Sequence, residues 1–197
     1  MNPVTLEKEN VMKPKGMVLF HGAGGNKDHR VLELIEDTVE IPVRRKNFDY
    51  RNIGDRRPPP RIPKLVDEVI QECVAFAKEL GVSTSSLLVG GRSMGGRAAS
   101  MAAASGLNIR GLVLLSYPLH PVKKPEKLRV EHFPNIKKPC LFISGDRDPF
   151  GSPITFAKYL QLIEAPVTME WLEGQNHDPK ETGLVVEKLQ DWILSLR

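Results

Sequence analysis

Ser93 lies in Gly91-Arg92-Ser93-Met94-Gly95, a G-x-S-x-G pentapeptide. A serine hydroxyl is a useful nucleophile only when a base takes its proton and an acid steadies that base. The flanking residues suit such a task. Leu87, Leu88 and Val89 read as a short buried strand, Gly90 to Gly95 as a tight turn, and Gly96, Ala98, Ala99 and Ser100 as the opening of a helix. A strand–turn–helix elbow lifts one hydroxyl to the top of a sheet on strained backbone. Positions two before and two after the serine must be small, because strand and helix pass close together there. Gly91 and Gly95 meet that need. The helix N-terminus beyond Ser93 offers N–H groups that favour negative charge.

The candidate base is His177, in the loop Glu173-Gly174-Gln175-Asn176-His177-Asp178-Pro179. The candidate acids, Asp146 and Asp148, share the segment Ser144-Gly145-Asp146-Arg147-Asp148-Pro149, and proximity does not separate them. Asp178 is a poorer candidate, since a sequence neighbour in a loop rarely turns back onto the imidazole. The other histidines compete weakly. His21 reads as a brace for the glycine loop after it, His29 and His132 fall in surface segments, and His120 is placed to line a pocket. The stretch His21-Gly22-Ala23-Gly24-Gly25-Asn26 can turn backbone N–H groups toward a ligand. It lacks both G-x-x-x-x-G-K-[ST] and G-x-G-x-x-G, which argues against a nucleotide phosphate cradle.

These residues need a scaffold, and the apolar pattern supplies one. Met17 to Phe20, Leu87 to Val89, Leu112 to Leu115 and Leu141 to Ile143 are apolar runs expected of strands covered on both faces. Val39 to Val43, weakened by Pro42, reads as another strand, Val167 to Leu172 as the last, and Val4 to Leu6 as a short edge strand. Helices are expected after an Asp28 N-cap, from Lys64 to Leu80, after Ser93 to near Gly106, over Ser152 to Ile163, and over Glu181 to Leu196. Asn47 to Pro63, with Pro58-Pro59-Pro60, reads as one long surface loop. Between Ser116 and Cys140 there is room for a loop and a short helix but not a lid domain, so an open, shallow site is expected. Alternating strands and helices predict an α/β fold with a mostly parallel sheet and helices on both faces. Every candidate polar cluster follows a strand, where ligands sit in such sheets.

With 197 residues, 41% hydrophobic and 26% charged, the chain is expected to form one domain over 1–197. No apolar run is long enough to span a bilayer, and Met1 to Gly16 lacks the apolar core of a secretory signal, so a cytoplasmic protein is expected. Cys73 and Cys140 sit in apolar segments and read as small buried hydrophobes. No Cys/His cluster has zinc spacing, and no metal or organic cofactor is required. The net charge of +4 is dispersed and reads as a solvated basic surface, with steering of anionic substrates as a milder alternative. With no nucleic-acid module and only 6% aromatics, neither a nucleic-acid nor a membrane partner is expected. A monomer is plausible.

The chain resembles the α/β-hydrolase superfamily over nearly its whole length, with the order Ser93, Asp148, His177. Three stretches, Gly90 to Ala99, Ser116 to Pro121 and Lys127-Leu128-Arg129, more narrowly resemble the group of testis-expressed protein thirty and the hydrolase-like domain of a chromatin-complex subunit. Dienelactone-hydrolase-like proteins are more distant relatives, with a cysteine where Ser93 stands. The resemblance implies a catalytic triad of Ser93, Asp148 and His177. Relatives commonly place the acid three residues after a glycine, which favours Asp148 after Gly145. It also implies an oxyanion hole built from the N–H groups of Met94 and Ala23. The expected function is a serine hydrolase of a carboxylic ester or thioester, with a small-molecule substrate. The alternative is a binding or scaffold protein that keeps the fold without turnover, and nothing marks a peptidase.

Overall fold

A computed structural model describes residues 13–53 and 57–196. Its strands are β1 (Gly16–Phe20), β2 (Val43–Lys46), β3 (Leu87–Arg92), β4 (Gly111–Leu115), β5 (Cys140–Gly145) and β6 (Val167–Leu172). Its helices are α1 (Arg30–Thr38), α2 (Asp49–Ile53), α3 (Ile62–Glu79), α4 (Met94–Ala104), α5 (Pro153–Tyr159) and α6 (Thr182–Ser195). The six strands form one sheet in the order β2-β1-β3-β4-β5-β6, and every neighbouring pair is parallel.

The apolar runs build the centre of this sheet. Side chains alternate along a strand, so a run that is apolar throughout must be covered on both faces. Met17, Leu19 and Leu88 pack with Leu32 and Ile35 of α1 and Leu189 of α6. Val18, Phe20 and Val89 pack on the other face with Leu65 and Val69 of α3 and Ala98 and Ala102 of α4. The chain adds β2 on one side of β1, then returns to add β3 on the other. That reversal opens a crevice at the carboxyl ends of β1 and β3, where parallel sheets take their ligands. The glycine loop follows β1 and Ser93 follows β3, so both stand at this crevice.

Several elements differ from their sequence expectations. The second strand is Val43–Lys46, not Val39 to Val43. Pro42 cannot donate to the ladder, but its carbonyl accepts from the Met17 N–H at 2.9 Å. The strand proper is an edge made of Val43, Arg44, Arg45 and Lys46. Its arginines pair with Glu72, Glu79 and Glu36, which suits an edge that must not recruit another strand. The 47–63 segment is not simply a surface loop. Phe48 and Tyr50 are buried, Phe48 stacks on Phe20 at 4.9 Å, and α2 follows at once. Helix α3 begins at Ile62, with Pro63 in its first turn, where a missing N–H costs nothing. The α1 cap is His29 rather than Asp28; its ring accepts from the Val31 N–H. The helix expected over Ser152 to Ile163 is capped by Ser152 and gives way to a 3-10 turn over Leu160–Leu162. The expected strand at Val4 to Leu6 lies outside the described residues. Between β4 and β5 the described residues hold one 3-10 turn, Phe133–Asn135, and no lid.

His132 is also not a surface residue. Its Nε2 meets the Ser100 hydroxyl at 2.8 Å. Burial, then the Arg97 charge, push the imidazole down to about 4 against the opposing pull of Glu131. An unfolded histidine takes its proton near pH ~6.5, so the unfolded chain gains one that the native chain refuses. Stability contributed by the neutral ring is full above pH ~6.5 and drains away as the pH falls toward about 4. The expected loss is about 2 kcal/mol by about pH 5. Denaturant titrations near pH ~7.5 and ~5 should show this extra loss in the wild type and not in His132→Gln. Equal losses in both proteins would contradict the assignment.

Candidate active site

The elbow exists as a strained turn. Ser93 has φ 52° and ψ −114°, a conformation non-glycine residues avoid. Such strain costs roughly 1–3 kcal/mol and persists only where surrounding structure enforces it. Here the Ser93 N–H is tied to the Leu115 carbonyl at 2.8 Å, and its carbonyl accepts from the Arg97 N–H at 3.0 Å. The small flanking residues are required by contact. A Cβ on Gly91 would stand 2.1 Å from the Phe20 carbonyl oxygen, and one on Gly95 would stand 2.4 Å from it.

Three sequence-predicted residues meet at this turn. His177 Nε2 lies 2.9 Å from Ser93 Oγ, and His177 Nδ1 lies 2.7 Å from Asp148 Oδ2. The second contact fixes the tautomer. A carboxylate only accepts, so Nδ1 carries the proton and Nε2 presents a lone pair to the serine hydroxyl. The Asp148 side chain is 1% exposed, and its other oxygen accepts from the Phe150 N–H at 2.8 Å. The Phe150 ring lies 4.2 Å from the imidazole at a 36° tilt and walls one face of it. Asp146 does not do what the sequence suggested. Offered there as a candidate acid, it has a buried Oδ1 without a hydrogen-bond partner. Asp148 caps its own turn, because its Oδ1 is free to reach forward while Oδ2 holds His177.

Arg92, inside the G-x-S-x-G, ties the elbow to the histidine loop. Its Nη2 donates to the His177 carbonyl at 3.1 Å and lies 3.4 Å from Asp178 Oδ1. Asp178 also meets His29 Nε2 at 3.1 Å and Arg30 at 3.1 Å. Arg30 further donates to the Pro179 carbonyl at 2.9 Å. His29 therefore serves twice in one tautomer: Nδ1 accepts in the α1 cap and Nε2–H donates to Asp178. Burial pushes the Arg92 guanidinium below its ordinary range despite the pull of Asp178 and Asp148.

The glycine loop is braced from beneath. His21 Nε2 accepts from the Phe48 N–H at 3.2 Å, so Nδ1 must carry the ring proton. Nδ1–H donates to the Gly22 carbonyl at 2.7 Å, which also accepts from the Gly25 N–H at 3.1 Å. Burial lowers the His21 pKa, in keeping with a neutral ring. In a trans peptide the C=O and the next N–H point in opposite directions. Holding the Gly22 carbonyl therefore also aims the Ala23 N–H. The Tyr50 hydroxyl donates to the Ala23 carbonyl at 3.0 Å, and Arg51 Nε donates to the Gly25 carbonyl at 2.8 Å. The loop abuts the nucleophile, for a Cβ on Gly22 would lie 3.5 Å from Ser93 Cβ. Met94 is the first residue of α4, so its N–H belongs to the helix end facing the turn.

His120 turns its Nδ1 onto the Pro121 carbonyl at 2.9 Å, within its own loop. Cys73 and Cys140 are free and buried, and burial pushes both thiols up to about 12. Among the described residues no cluster of His, Cys, Asp and Glu could hold a metal ion. Sequence reasoning missed Arg92, Phe150, Tyr50 and Arg51. Only Phe150 carried a usable signal, its place two residues after Asp148.

Comparison with known proteins finds the same fold elsewhere. The chain superimposes on Est1E from Butyrivibrio proteoclasticus, solved with ferulic acid bound, at a TM-score of 0.73 and 18% identity, covering 96% of this chain and 92% of that one. A dienelactone hydrolase from Anabaena variabilis gives a TM-score of 0.71 at 20% identity, with coverage of 93% and 88%. A lidless serine hydrolase from Xanthomonas campestris gives 0.71 at 18% identity, with coverage of 95% and 85%. Identities this low establish the shared fold alone. The family model described as an alpha/beta hydrolase domain matches residues 13–193, from the approach to β1 to the last helix. With its parallel sheet and the elbow after β3, the chain belongs to the α/β-hydrolase family.

Proposed function

We propose that this protein is a serine hydrolase of small carboxylic esters or thioesters, with Ser93 as nucleophile, His177 as general base and Asp148 as the acid that orients it. The unbroken hydrogen-bonded path from Asp148 through His177 to Ser93 Oγ carries the reading. His177 Nε2 takes the hydroxyl proton as Ser93 Oγ attacks the carbonyl carbon. The oxyanion so formed meets the N–H groups of Met94 and Ala23, preorganised donors of the kind that stabilise developing charge best. The imidazolium then protonates the leaving alcohol or thiol, leaving an acyl-Ser93. Water, activated by the same imidazole, releases the acid and restores the serine. Asp148 stays ionised throughout and offsets the imidazolium charge. The chemistry uses only the chain's own residues. The narrower kinship with the testis-expressed group rests on the three stretches quoted above. The two buried free thiols fit a reducing, cytoplasmic setting.

An acyl-enzyme path predicts a pre-steady-state burst of aryl alcohol from a short-chain nitrophenyl ester, its amplitude approaching one per protein chain whenever deacylation is slower than acylation. A folded protein that releases aryl alcohol no faster than buffer would overturn the proposal in favour of a scaffold.

Arg92 gives a second check. It touches no reacting atom and acts through the backbone of His177, so it is a positioning residue. Arg92→Met is expected to lower kcat about tenfold with KM little changed, as small misplacements of a catalytic base do. Arg92→Lys should recover part of the loss. A change confined to KM, or no rescue by lysine, would contradict the clamp.

A further inference from the structure

Among the described residues, three half-buried arginines are matched by carboxylates. Arg44 pairs with Glu72 and Glu79, Arg45 with Glu36 and Asp28, and Arg92 with Asp178. Arg97 and Arg129 break the pattern. Both are half-buried, and among the described residues no ion pair or side-chain hydrogen bond reaches either guanidinium. Arg97 Nε is shut off from solvent and has no partner at all. The two also feel each other: burial, and then the Arg97 charge, hold the Arg129 guanidinium below its ordinary range. Two like charges, partly stripped of water and left without a counter-ion, are an unfavourable arrangement for the empty fold. They suit an oxyanion such as a carboxylate or phosphate, which two guanidinium forks can grip through several N–H donors.

Their position links them to Ser93. The Arg97 N–H donates to the Ser93 carbonyl, one turn earlier. Side chains leave a helix tilted toward its N-terminus, so Arg97 departs from α4 toward the elbow. Arg129 is held from the other side. Its N–H donates to the Leu119 carbonyl at 2.8 Å, and its carbonyl accepts from the Tyr117 hydroxyl at 2.7 Å. Tyr117 and Leu119 directly follow β4, the strand whose Leu115 carbonyl holds the Ser93 N–H. The loop carrying Arg129 also exposes Lys123, Lys124 and Lys127. Its acids are Glu126 and Glu131, and neither forms an ion pair with the two arginines. His132, neutral beside them, adds no charge.

We infer that Arg97 and Arg129 form an anion subsite beside Ser93, so that the preferred ester or thioester carries a carboxylate or phosphate on its acyl or leaving half. The inference rests on the hydrolase reading for its chemistry but not for its binding.

Two matched substrate pairs test it: 4-acetoxybenzoate against its methyl ester, with charge on the leaving half, and the mono-4-nitrophenyl ester of adipate against 4-nitrophenyl hexanoate, with charge on the acyl half. The ratio of kcat/KM, anionic over neutral, should fall about tenfold or more in at least one pair on Arg97→Gln and on Arg129→Gln, the loss expected of a charge-assisted hydrogen bond. Inorganic phosphate should raise the wild-type Tm more than sodium chloride of equal ionic strength, and the double variant should lose that excess. The same melts report whether each variant unfolds cooperatively. Hydrolysis with ratios and phosphate response unchanged by both substitutions would overturn the subsite and leave the hydrolase standing. Phosphate binding through the pair with no hydrolysis of any ester would uphold the subsite and overturn the hydrolase.

Discussion

Asp148→Asn is expected to lower kcat by about a hundredfold or more while leaving KM nearly unchanged. Asparagine keeps the shape of the side chain but can present an NH2 to the imidazole. That donor would favour the tautomer with its proton on Nε2, which faces Ser93 Oγ 2.9 Å away. Nε2 could then no longer accept the serine proton. The imidazolium formed during attack would also lose a neighbouring charge whose side chain is only 1% exposed and therefore little screened. In a serine protease the same change costs about four orders of magnitude. Ground-state binding is spared because Asp148 lies behind the imidazole. Asp146→Asn is the control. No hydrogen bond or ion pair joins the Asp146 side chain to His177, and its buried Oδ1 has no partner to lose, so kcat should stay within a few-fold, about one kcal/mol. Steady-state kinetics on both purified variants decide between the acids. A larger kcat loss in Asp146→Asn would refute the assignment.

Gly90→Ala should prevent folding to the native state. A Cβ there would stand 1.8 Å from the Val113 carbonyl oxygen and 2.6 Å from its carbon. Both are backbone atoms of the neighbouring central strand, in register with Gly90. No rotamer change can relieve such a clash; β3 and β4 would have to part. The expected loss exceeds about 4 kcal/mol, a large fraction of a typical 5–15 kcal/mol stability. Gly183→Ala, in α6, is the matching opposite case. Nothing lies within 4 Å of its added Cβ, and alanine in a helix gains up to about 1 kcal/mol over glycine. Denaturant unfolding of the two variants should show no cooperative native transition for Gly90→Ala and a midpoint at or above wild type for Gly183→Ala. A near-native midpoint for Gly90→Ala would contradict the packing described.

Ser93 and Asp148 were legible because each follows a buried strand that announces itself as an apolar run, whereas His177 follows β6, a half-buried edge strand. Ser93, Asp148 and His177 follow the ends of β3, β5 and β6, and the parallel sheet puts those ends on one side. The edge strand β2 was misplaced for the converse reason. Val43–Lys46 is half solvated, so its arginines hide it from any reading by hydrophobicity. Phe48 and Tyr50 escaped notice because their neighbours are charged and proline-rich, although the burial of two aromatics is what seats α2 against His21. Arg92 was invisible for a different reason. Its carbonyl partner lies 85 residues away, and no local pattern encodes a contact created only by the closed fold. His132 was misread as exposed because its partner, the Ser100 hydroxyl, lies on a helix 32 residues earlier. What the sequence hides here is the set of contacts that hold the site in place; what it displays is the order of the strands' polar ends.

Ser93 Oγ as an activated nucleophile is the central claim. Treating the folded protein with a fluorophosphonate and measuring its intact mass, followed by peptide mapping, reads this directly, since the phosphonyl adduct mimics the tetrahedral stage of attack. One adduct per chain is expected on the peptide containing Ser93, and none in Ser93→Ala. A folded protein that remains unlabelled at high probe concentration, or that carries its label on another residue, would contradict it.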